Sequence, residues 1–561
     1  MAFLGSTDSG SKAGSKSVSR ELSQSIVFLF ASATMVLRAV WLTGLLASGA
    51  AAAAAPPQTL APRAFTPLPL GQVAPRGWLL EQLVVQANAL SGYMAKSTFP
   101  GADHVNSSLW VGGDGHTGGG TTQWLPYWTN GNVPLVGLLQ AAGAEGRLDK
   151  SLDLVGVIDS MMAYVLAHTN KTNGWIGPYF NEPGDANGHG LWDPLNMLRS
   201  LLLYAEKHPD AAKAVAAATI AHMTQEAKLL VTDPVIKWAQ TRWPTFVEIC
   251  QYAIDLLVPA YGDDPAVMPL GGAATTTLLL NASALFRAKG MDWDAYYHQT
   301  GPIKFPEGPV SGWNTNDHGV NNAEGALRWP AVAYRMSGLA SDRKQMDFVL
   351  AQIDHWQAQP NALLCADEVF CGRAPHRGTE TCAVVEAMAS LEMAFTTLGD
   401  PLLMDRVERL AFNAMPASLT ADMWTHVYVQ QANSVFAGHT GPAEGSGEED
   451  PSRRAHHLHY QHQGPDSGGG GAEHHHHEHG HGHGHHGKQG DGHVRGSKRR
   501  LGEGCASCGG ADKKGLADTP SGEDQTANFF GVSHFPCCIT NFPQVRRCCC
   551  CCCCCCCCCC C

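Results

Sequence analysis

The sequence predicts an all-α fold, a helical toroid with loops shaping one end, over residues 70–436. Three observations predict it. Apolar residues recur at helical spacing through most of this stretch, alternating strand patterns are scarce, and the connecting segments are long and rich in Gly, Trp and Asn. A helical solenoid is the alternative architecture, but the sequence carries no fixed-period repeat.

The individual helices follow from the spacing of apolar residues. The first, 78–95, carries Leu79, Leu83 and Ala87 on one face, and the second, 148–168, repeats this pattern. Further helices are predicted over 193–207, 210–231, 246–260, 273–289, 322–336, 342–357, 379–398 and 401–415.

The amino-terminal residues 1–55 have the composition of a targeting segment. If translation starts at Met35, Arg38 supplies a short basic region, and the apolar stretch that follows ends in small residues suited to cleavage near Ala55. An anchoring helix is the alternative, since about 20 apolar residues span a bilayer. We favour cleavage, which predicts a secreted protein with no stable membrane insertion. The Pro-rich segment 56–69 that follows the leader is predicted to be a linker.

Composition limits the classes of partner. Hydrophobic residues make up 44% of the chain, enough to build a large core, and the net charge of -12 argues against a nucleic-acid partner. Of the 22 cysteines, 14 form the tail 548–561. A homopolymer lacks the defined spacing that disulfide pairing needs, so we interpret this tail as a repeat expansion or a gene-model artefact.

Residues 437–525 are rich in Gly, Ser, Glu and His, a composition that predicts a disordered insertion because it cannot bury a core. The histidines at 474–477 could bind metal weakly, although a solvated low-complexity segment is the favoured interpretation. Cys505 and Cys508 form a single CxxC, which is a weak zinc signal. A metal-storage protein built on these tracts is one hypothesis, and it predicts metal uptake by the insertion alone.

Glu380 and Cys382 begin the helix predicted over 379–398, with Thr379 as its expected N-cap. A helix amino terminus favours anions and lowers a thiol pKa, and a thiolate with a carboxylate is a usable pair of zinc ligands. Residues two apart in a regular helix point to nearly opposite sides, but the looser geometry of the first turn would let both side chains face one ion. The alternative is a capped helix that simply buries a cysteine.

The vicinal pair Cys537 and Cys538 follows Pro536 and is predicted to lie in a turn within the segment 526–547. Added to Glu380 and Cys382, these two thiols would complete a set of three sulfur ligands and one oxygen ligand. Two small buried residues, or a strained vicinal disulfide, are the alternatives.

Seven motifs, in this order along the chain, resemble glycoside hydrolase family 127 and its close relatives. The resemblance covers about residues 67–544 apart from the insertion. The motifs are Pro67-Leu-Pro-Leu-Gly with Gly77-Trp-Leu, Pro126-Tyr-Trp-Thr-Asn-Gly with Pro134-Leu, Asn173-Gly-Trp-Ile-Gly-Pro, Asp317-His-Gly-Val-Asn-Asn-Ala, Gly378-Thr-Glu-Thr-Cys, Glu408-Arg with Asn413-Ala, and Pro536-Cys-Cys-Ile-Thr-Asn.

The resemblance implies an (α/α)6 barrel followed by β-sandwich domains. It also implies a bound Zn²⁺, with ligands that correspond here to Glu380, Cys382, Cys537 and Cys538. The substrate class that it implies is a glycan or glycoprotein with β-L-arabinofuranosyl-type linkages.

For the reaction, the resemblance implies retaining hydrolysis with Cys537 as nucleophile and an upstream glutamate as general acid/base. Glu368 is the best match for the acid/base, with Asp367 as the fallback. Further residues correspond to positions that contact the sugar, namely His318, Glu408 and Tyr428. Loop tryptophans, such as Trp128, Trp175 and Trp313, could stack on sugar faces, although each is more often a core residue.

The chain departs from the family pattern in three places. The downstream β-sandwich domains are replaced by the cysteine tail, the His-rich insertion separates Tyr428 from Cys537, and Leu191-Trp-Asp-Pro-Leu stands where some members place a sugar-binding histidine. The last change predicts a different glycan preference. A non-catalytic, zinc-stabilised carbohydrate-binding protein is the alternative to the enzyme, and the presence of both Glu368 and Cys537 favours the enzyme.

Overall fold

A computed structural model describes residues 59–96, 105, 108–113, 123–178, 191–299, 306, 308–310, 314–432, 439–440, 529–530, 536–541 and 544. The predicted leader at 1–55, the His-rich stretch 441–525 with Cys505 and Cys508, Trp313 and the tail 548–561 lie outside these residues.

The described residues are mainly helical, as predicted. The α-helices are α1 Gly77–Asn88, α2 Leu90–Tyr93, α3 Trp124–Ala141, α4 Leu154–Ala167, α5 Asp193–Lys207, α6 Pro209–Thr232, α7 Lys237–Thr241, α8 Trp243–Tyr252, α9 Val258–Tyr261, α10 Gly272–Lys289, α11 Trp293–Tyr297, α12 Gly319–Asn321, α13 Trp329–Ser337, α14 Ala340–Trp356, α15 Thr381–Leu398, α16 Pro401–Arg409 and α17 Pro536–Asn541. Short 3-10 turns occupy Leu109–Val111, Glu145–Arg147 and Pro416–Ser418, and π-helical turns occupy Ala253–Leu257, Asn322–Ala326 and Leu410–Ala414.

The inner helices form a closed ring. Helix α3 packs on α5, α5 on α8, α8 on α13, α13 on α15, α15 on α17, and α17 again on α3. A solenoid would leave its first and last helices apart, so this closure identifies a toroid of the (α/α)6 type. The short helix α17, which carries the vicinal cysteines, occupies the last position of the ring.

An outer layer of helices covers the ring. Helix α4 packs on α3, α6 on α5, α10 on α8, α14 on α13, and α16 on α15. The inner helices α3, α5 and α15 are buried on nearly all sides, whereas α6, α10, α14 and α16 bury one face. Helix α15 is long and apolar enough to cross a membrane, but 78% of it is buried inside the fold, as expected of a core helix.

Most predicted helix bounds agree with the structure. Helix α5 has the predicted bounds, and α10 begins one residue before its prediction. The helix predicted over 78–95 is divided into α1 and α2, because the backbone at Ala89 leaves the helical conformation (φ -105°, ψ -143°). Helix α3 was not predicted: Gly131 and Pro134 lie inside it, and burial of nearly every side chain overrides their low helix propensity.

Strands are short in the described part of the chain. Strand β1, Gly378–Glu380, pairs antiparallel with β2, Val429–Gln431, in a register that sets Glu380 opposite Val429. Strand β3, His439–Thr440, pairs parallel with β4, Phe529–Phe530. The pairing of β1 with β2 bears on the candidate site because β1 leads directly into helix α15.

Candidate active and metal centre

The junction of β1 and α15 places Glu380 and Cys382 on one side of the chain. Glu380 is extended (φ -60°, ψ 137°) and stands at the N-cap position, where its side chain makes no capping hydrogen bond. The prediction that Thr379 caps the helix was wrong, since the Thr379 hydroxyl donates to the carbonyl of Leu364 at 2.8 Å. An extended residue followed by a helical turn brings side chains two apart together, which a regular helix does not allow.

Helix α17 supplies the other two members of the cluster. The prediction of a turn at Cys537 and Cys538 was wrong, because both lie in the first turn of a helix that starts at Pro536. Proline suits this position, since the first helical residue has no intrahelical partner for its N–H. Cys537 and Cys538 are not joined by a disulfide, so the vicinal disulfide alternative is also wrong.

Four side chains converge where α15 meets α17. The ligand atoms of Glu380, Cys382, Cys537 and Cys538 all lie within 4.8 Å of one another. Cys538 Sγ lies 3.1 Å from Cys382 Sγ and 3.7 Å from Glu380 Oε1. Cys382 and Cys538 are fully buried, whereas Cys537 is half-buried. Cys537 is therefore the most solvent-accessible thiol of this cluster.

The electrostatics of this cluster favour a cation. Burial raises the pKa of Cys382, and the thiols of Cys537 and Cys538 raise it further. Burial likewise raises the pKa of Glu380, with further increases from Glu368 and Cys537. Glu380 Oε2 is buried and has no hydrogen-bond partner among the described residues. Three thiols and one carboxylate, of which one buried oxygen is unsatisfied, fit a Zn²⁺ site.

A second group of side chains adjoins the cluster through Glu380. The ligand atoms of His318, Glu368 and Glu380 lie within 4.8 Å of one another. His318 Nδ1 accepts the backbone N–H of Asn321 at 3.4 Å, so the ring proton resides on Nε2, which donates to Glu368 Oε2 at 3.1 Å. The Tyr428 hydroxyl donates to Glu368 Oε1. Both oxygens of the Glu368 carboxyl are thus oriented by donors.

The backbone at Glu368 is unusual. Its φ is 154°, a region that glycine adopts readily and residues with a Cβ rarely do. Such conformations persist where the surrounding structure imposes them, and they concentrate at functional sites.

The remaining predicted residues fall outside this group. Asp367, the fallback acid/base, is buried in a two-armed ion pair with Arg377, in which Nη2 lies 2.5 Å from Oδ1. Glu408 is exposed on the outer helix α16, and its assignment as a sugar contact stays a prediction. Trp128 and Trp175 are buried core residues, and Trp128 Nε1 donates to the carbonyl of Ser91 at 2.8 Å.

Two features of the site were not predicted. The indole of Trp238 packs edge-on against His318, with 4.8 Å between ring centroids. A disulfide joins Cys365 to Cys371 on either side of Glu368. The signal for the disulfide was present in the sequence as two cysteines close together in a globular stretch.

Comparison with known proteins finds solved structures only. No protein-family model matches the chain, and no curated protein matches it. A GH127 beta-arabinofuranosidase is similar at 16% identity and a TM-score of 0.45, over 65% of this chain and 57% of that one. A second structure, described as a glycoside hydrolase, is similar at 12% identity and a TM-score of 0.41, over 66% of this chain and 54% of that one. The chain thus spans little more than half the length of each.

Proposed function

We propose that this protein is a retaining glycoside hydrolase with a cysteine nucleophile, acting on β-L-arabinofuranosyl-type linkages. One observation carries the proposal: the half-buried thiol of Cys537 and the carboxyl of Glu368 each lie within 4.8 Å of Glu380. A nucleophile and an oriented carboxyl beside one another are the two groups that retaining hydrolysis requires.

In the first step the Cys537 thiolate attacks the anomeric carbon while Glu368 gives its proton to the departing oxygen. A carbon–sulfur bond forms and the glycosidic carbon–oxygen bond breaks. In the second step Glu368 takes a proton from water, which attacks the anomeric carbon and releases the thiolate. His318 and Tyr428 hold Glu368 in place through both proton transfers, because they donate to its two oxygens.

Glu380, Cys382, Cys537 and Cys538 would hold Zn²⁺. When bound, the ion would keep the thiols ionised near neutral pH and would stabilise the sulfur as it leaves carbon. Without a positive charge, the raised pKa values of Cys382 and Cys538 favour the protonated thiols.

We also propose that the protein is extracellular or enters the secretory pathway. The disulfide between Cys365 and Cys371 supports this proposal, because disulfides form and persist in oxidising compartments. Mass spectrometry of protein from the culture medium tests it. A mature amino terminus near Ala55 is expected, and a chain retained in the cytosol with an intact leader contradicts it.

The test of function compares the full chain with Cys537→Ser and a matched control, Cys250→Ser. Cys250 is a buried free thiol on α8, outside the cluster. We expect about one zinc per chain and hydrolysis of an aryl β-L-arabinofuranoside by the wild type. Cys537→Ser should lose at least ~10³-fold in turnover, as expected when a nucleophile is removed, and Cys250→Ser should retain activity.

Different results separate the parts of the proposal. Equal activity in the wild type and Cys537→Ser would overturn the cysteine mechanism. Bound zinc with no hydrolysis of any arabinofuranoside would contradict the enzyme and favour the carbohydrate-binding alternative. A folded protein without zinc would contradict the metal assignment.

A further inference from the structure

Glu368 lies in a loop that a disulfide closes at its base. Cys365 and Cys371, separated by 6 positions, form this disulfide, and both are fully buried. The N–H of Cys371 also donates to the carbonyl of Cys365 at 3.2 Å, and Ala366 forms an antiparallel bridge with Phe370. The loop 365–371 is therefore a small hairpin, with Glu368 at its tip.

The tip of this hairpin is held on both sides. Gly319 N–H donates to the carbonyl of Glu368 at 2.7 Å, and Phe370 N–H donates to the carbonyl of Asp317 at 3.0 Å. On the other flank, the ion pair between Asp367 and Arg377 fixes the residue before Glu368. These contacts hold Glu368 at a φ of 154°, a conformation that an open chain would leave.

We infer that the Cys365–Cys371 disulfide is a positioning element for the acid/base carboxyl of Glu368. This inference rests on the proposed function. Opening the base of the hairpin lets the strained tip relax, so the carboxyl moves away from His318 and Tyr428. A misplacement of roughly 1 Å costs about 10²-fold in rate.

The four residues of the metal cluster lie outside the loop 365–371, and Glu380 contacts this loop through its backbone N–H, which donates to the carbonyl of Ala366 at 2.9 Å. Glu380 and Cys382 lie at the junction of β1 and α15, and Cys537 and Cys538 lie on α17. Loss of the disulfide should therefore impair proton transfer while zinc binding persists. This separation distinguishes a positioning role from a general role in folding.

The experiment uses the zinc-loaded full chain with Cys365→Ala/Cys371→Ala, beside Glu368→Ala and the control Cys250→Ala. Each protein receives an alkyl β-L-arabinofuranoside, whose leaving oxygen needs a proton, and a dinitrophenyl arabinofuranoside, whose leaving group does not. The readouts are kcat/KM on both substrates and zinc content.

We expect the double variant to lose about 10- to 100-fold in kcat/KM on the alkyl substrate. On the dinitrophenyl substrate it should lose less than about 3-fold, since glycosylation there needs little acid catalysis. Zinc content should stay at the wild-type value, and Cys250→Ala should match the wild type on both substrates. If the alanine pair does not fold, Cys365→Ala/Cys371→Val, which restores much of the lost volume, replaces it.

Three outcomes overturn the inference or its basis, and they differ from one another. The positioning role is overturned if the double variant loses kcat/KM equally on both substrates or on neither. This conclusion requires that Glu368→Ala lose more kcat/KM on the alkyl substrate than on the dinitrophenyl substrate. Failure of Glu368→Ala to discriminate overturns the acid/base assignment on which the inference rests. Absence of wild-type hydrolysis overturns the proposed function itself.

Discussion

The fold buries two groups of ionisable side chains that differ in their balance of charge. In the first, Glu324 and Glu248 meet Arg199, Arg242 and Arg328. Arg242 Nη1 lies 3.2 Å from Glu324 Oε2, Arg328 Nε lies 3.2 Å from Glu248 Oε2, and Arg199 Nη2 lies 2.6 Å from Glu248 Oε2. In this arginine–glutamate network each carboxylate forms ion pairs with arginines of the same fold.

The second group, the cluster of Glu380 with Cys382, Cys537 and Cys538, brings acidic groups together, and Arg242 offsets only part of the increase in the pKa of Glu380. Burial acts to raise the pKa of Glu324, but Arg242, Arg328 and Arg199 together hold it below its ordinary value. The pKa of Glu380 is raised instead, although both carboxyls are fully buried. Burial alone therefore does not decide the charge of these groups. The first network supplies its own cations, and the second is suited to receive one from solution.

Metal removal should produce the largest change in stability. Zinc that binds only the folded chain stabilises it in proportion to RT ln(1 + [L]/Kd), and structural zinc sites reach apparent values of about 10–16 kcal/mol in small peptides. We expect a strong chelator, or Cys382→Ser, to lower the thermal unfolding midpoint markedly. Cys250→Ser should respond to the chelator as the wild type does. An unfolding midpoint that is the same with and without the chelator would contradict the metal site.

Removing one cation from the arginine–glutamate network should produce the second-largest change in stability. Arg242→Met removes one of the positive charges that pair with the buried carboxylate of Glu324. It should lower the free energy of unfolding by ~3–5 kcal/mol, as broken buried ion pairs do. It also removes contacts with Trp192 and Trp238, whose ring centroids lie 4.1 and 4.8 Å from the guanidinium carbon.

Urea unfolding measures the loss in Arg242→Met. The control is Lys213→Met, which breaks a surface pair with Asp264 and should change the unfolding midpoint much less. Equal losses in the two variants would mean that the buried network stabilises the fold no more than a surface pair does.

The smallest effect concerns Glu386, a buried residue of α15 on which the charges of the arginine–glutamate network act. Burial and, to a smaller extent, Glu324 raise its pKa, Arg328, Arg199 and Arg242 oppose the increase, and the net result is a pKa of about 7. A raised carboxyl pKa stabilises the fold below the ordinary value of 4.5, and this contribution is lost as the pH rises through about 7.

Glu386→Gln cannot titrate, so its stability should fall less than that of the wild type between about pH 4.5 and about pH 7. The difference in slope is at most ~1.4 kcal/mol per pH unit. Urea unfolding of both proteins in chelator, across this range, measures it. Parallel curves would show that Glu386 titrates at its ordinary pKa.

Much of the fold could be predicted from periodicity. Helix α5 has the predicted bounds because its apolar spacing is regular and Pro194 lies in its first turn. Helix α3 was missed, since Gly131 and Pro134 are ordinarily loop residues and only burial in the ring explains their place in a helix. Closure of the ring depends on α17, which lies far along the chain and carries no long periodic pattern.

The site could be predicted only in part from the residues. Motif resemblance indicated the four cluster residues, and the structure brings them together. Spacing alone left open whether Glu380 and Cys382 face one ion, because the change from strand to helix between them cannot be read from residue types. The resemblance also left Asp367 as an alternative to Glu368, and in the structure Asp367 pairs with Arg377 whereas Glu368 accepts from His318 and Tyr428.

The distance along the chain between the two halves of the cluster bears on the order of folding. Cys382 and Cys538 touch although 156 positions separate them. Closing a loop of that size costs roughly 4–5 kcal/mol in free energy, through lost chain entropy, before any contact offsets it. During synthesis α15 leaves the ribosome long before α17, so the ring of inner helices cannot close until α17 has been synthesised. Metal capture would then mark the end of folding, and a chain that stops short of α17 would carry a half-site with one thiol and one carboxylate.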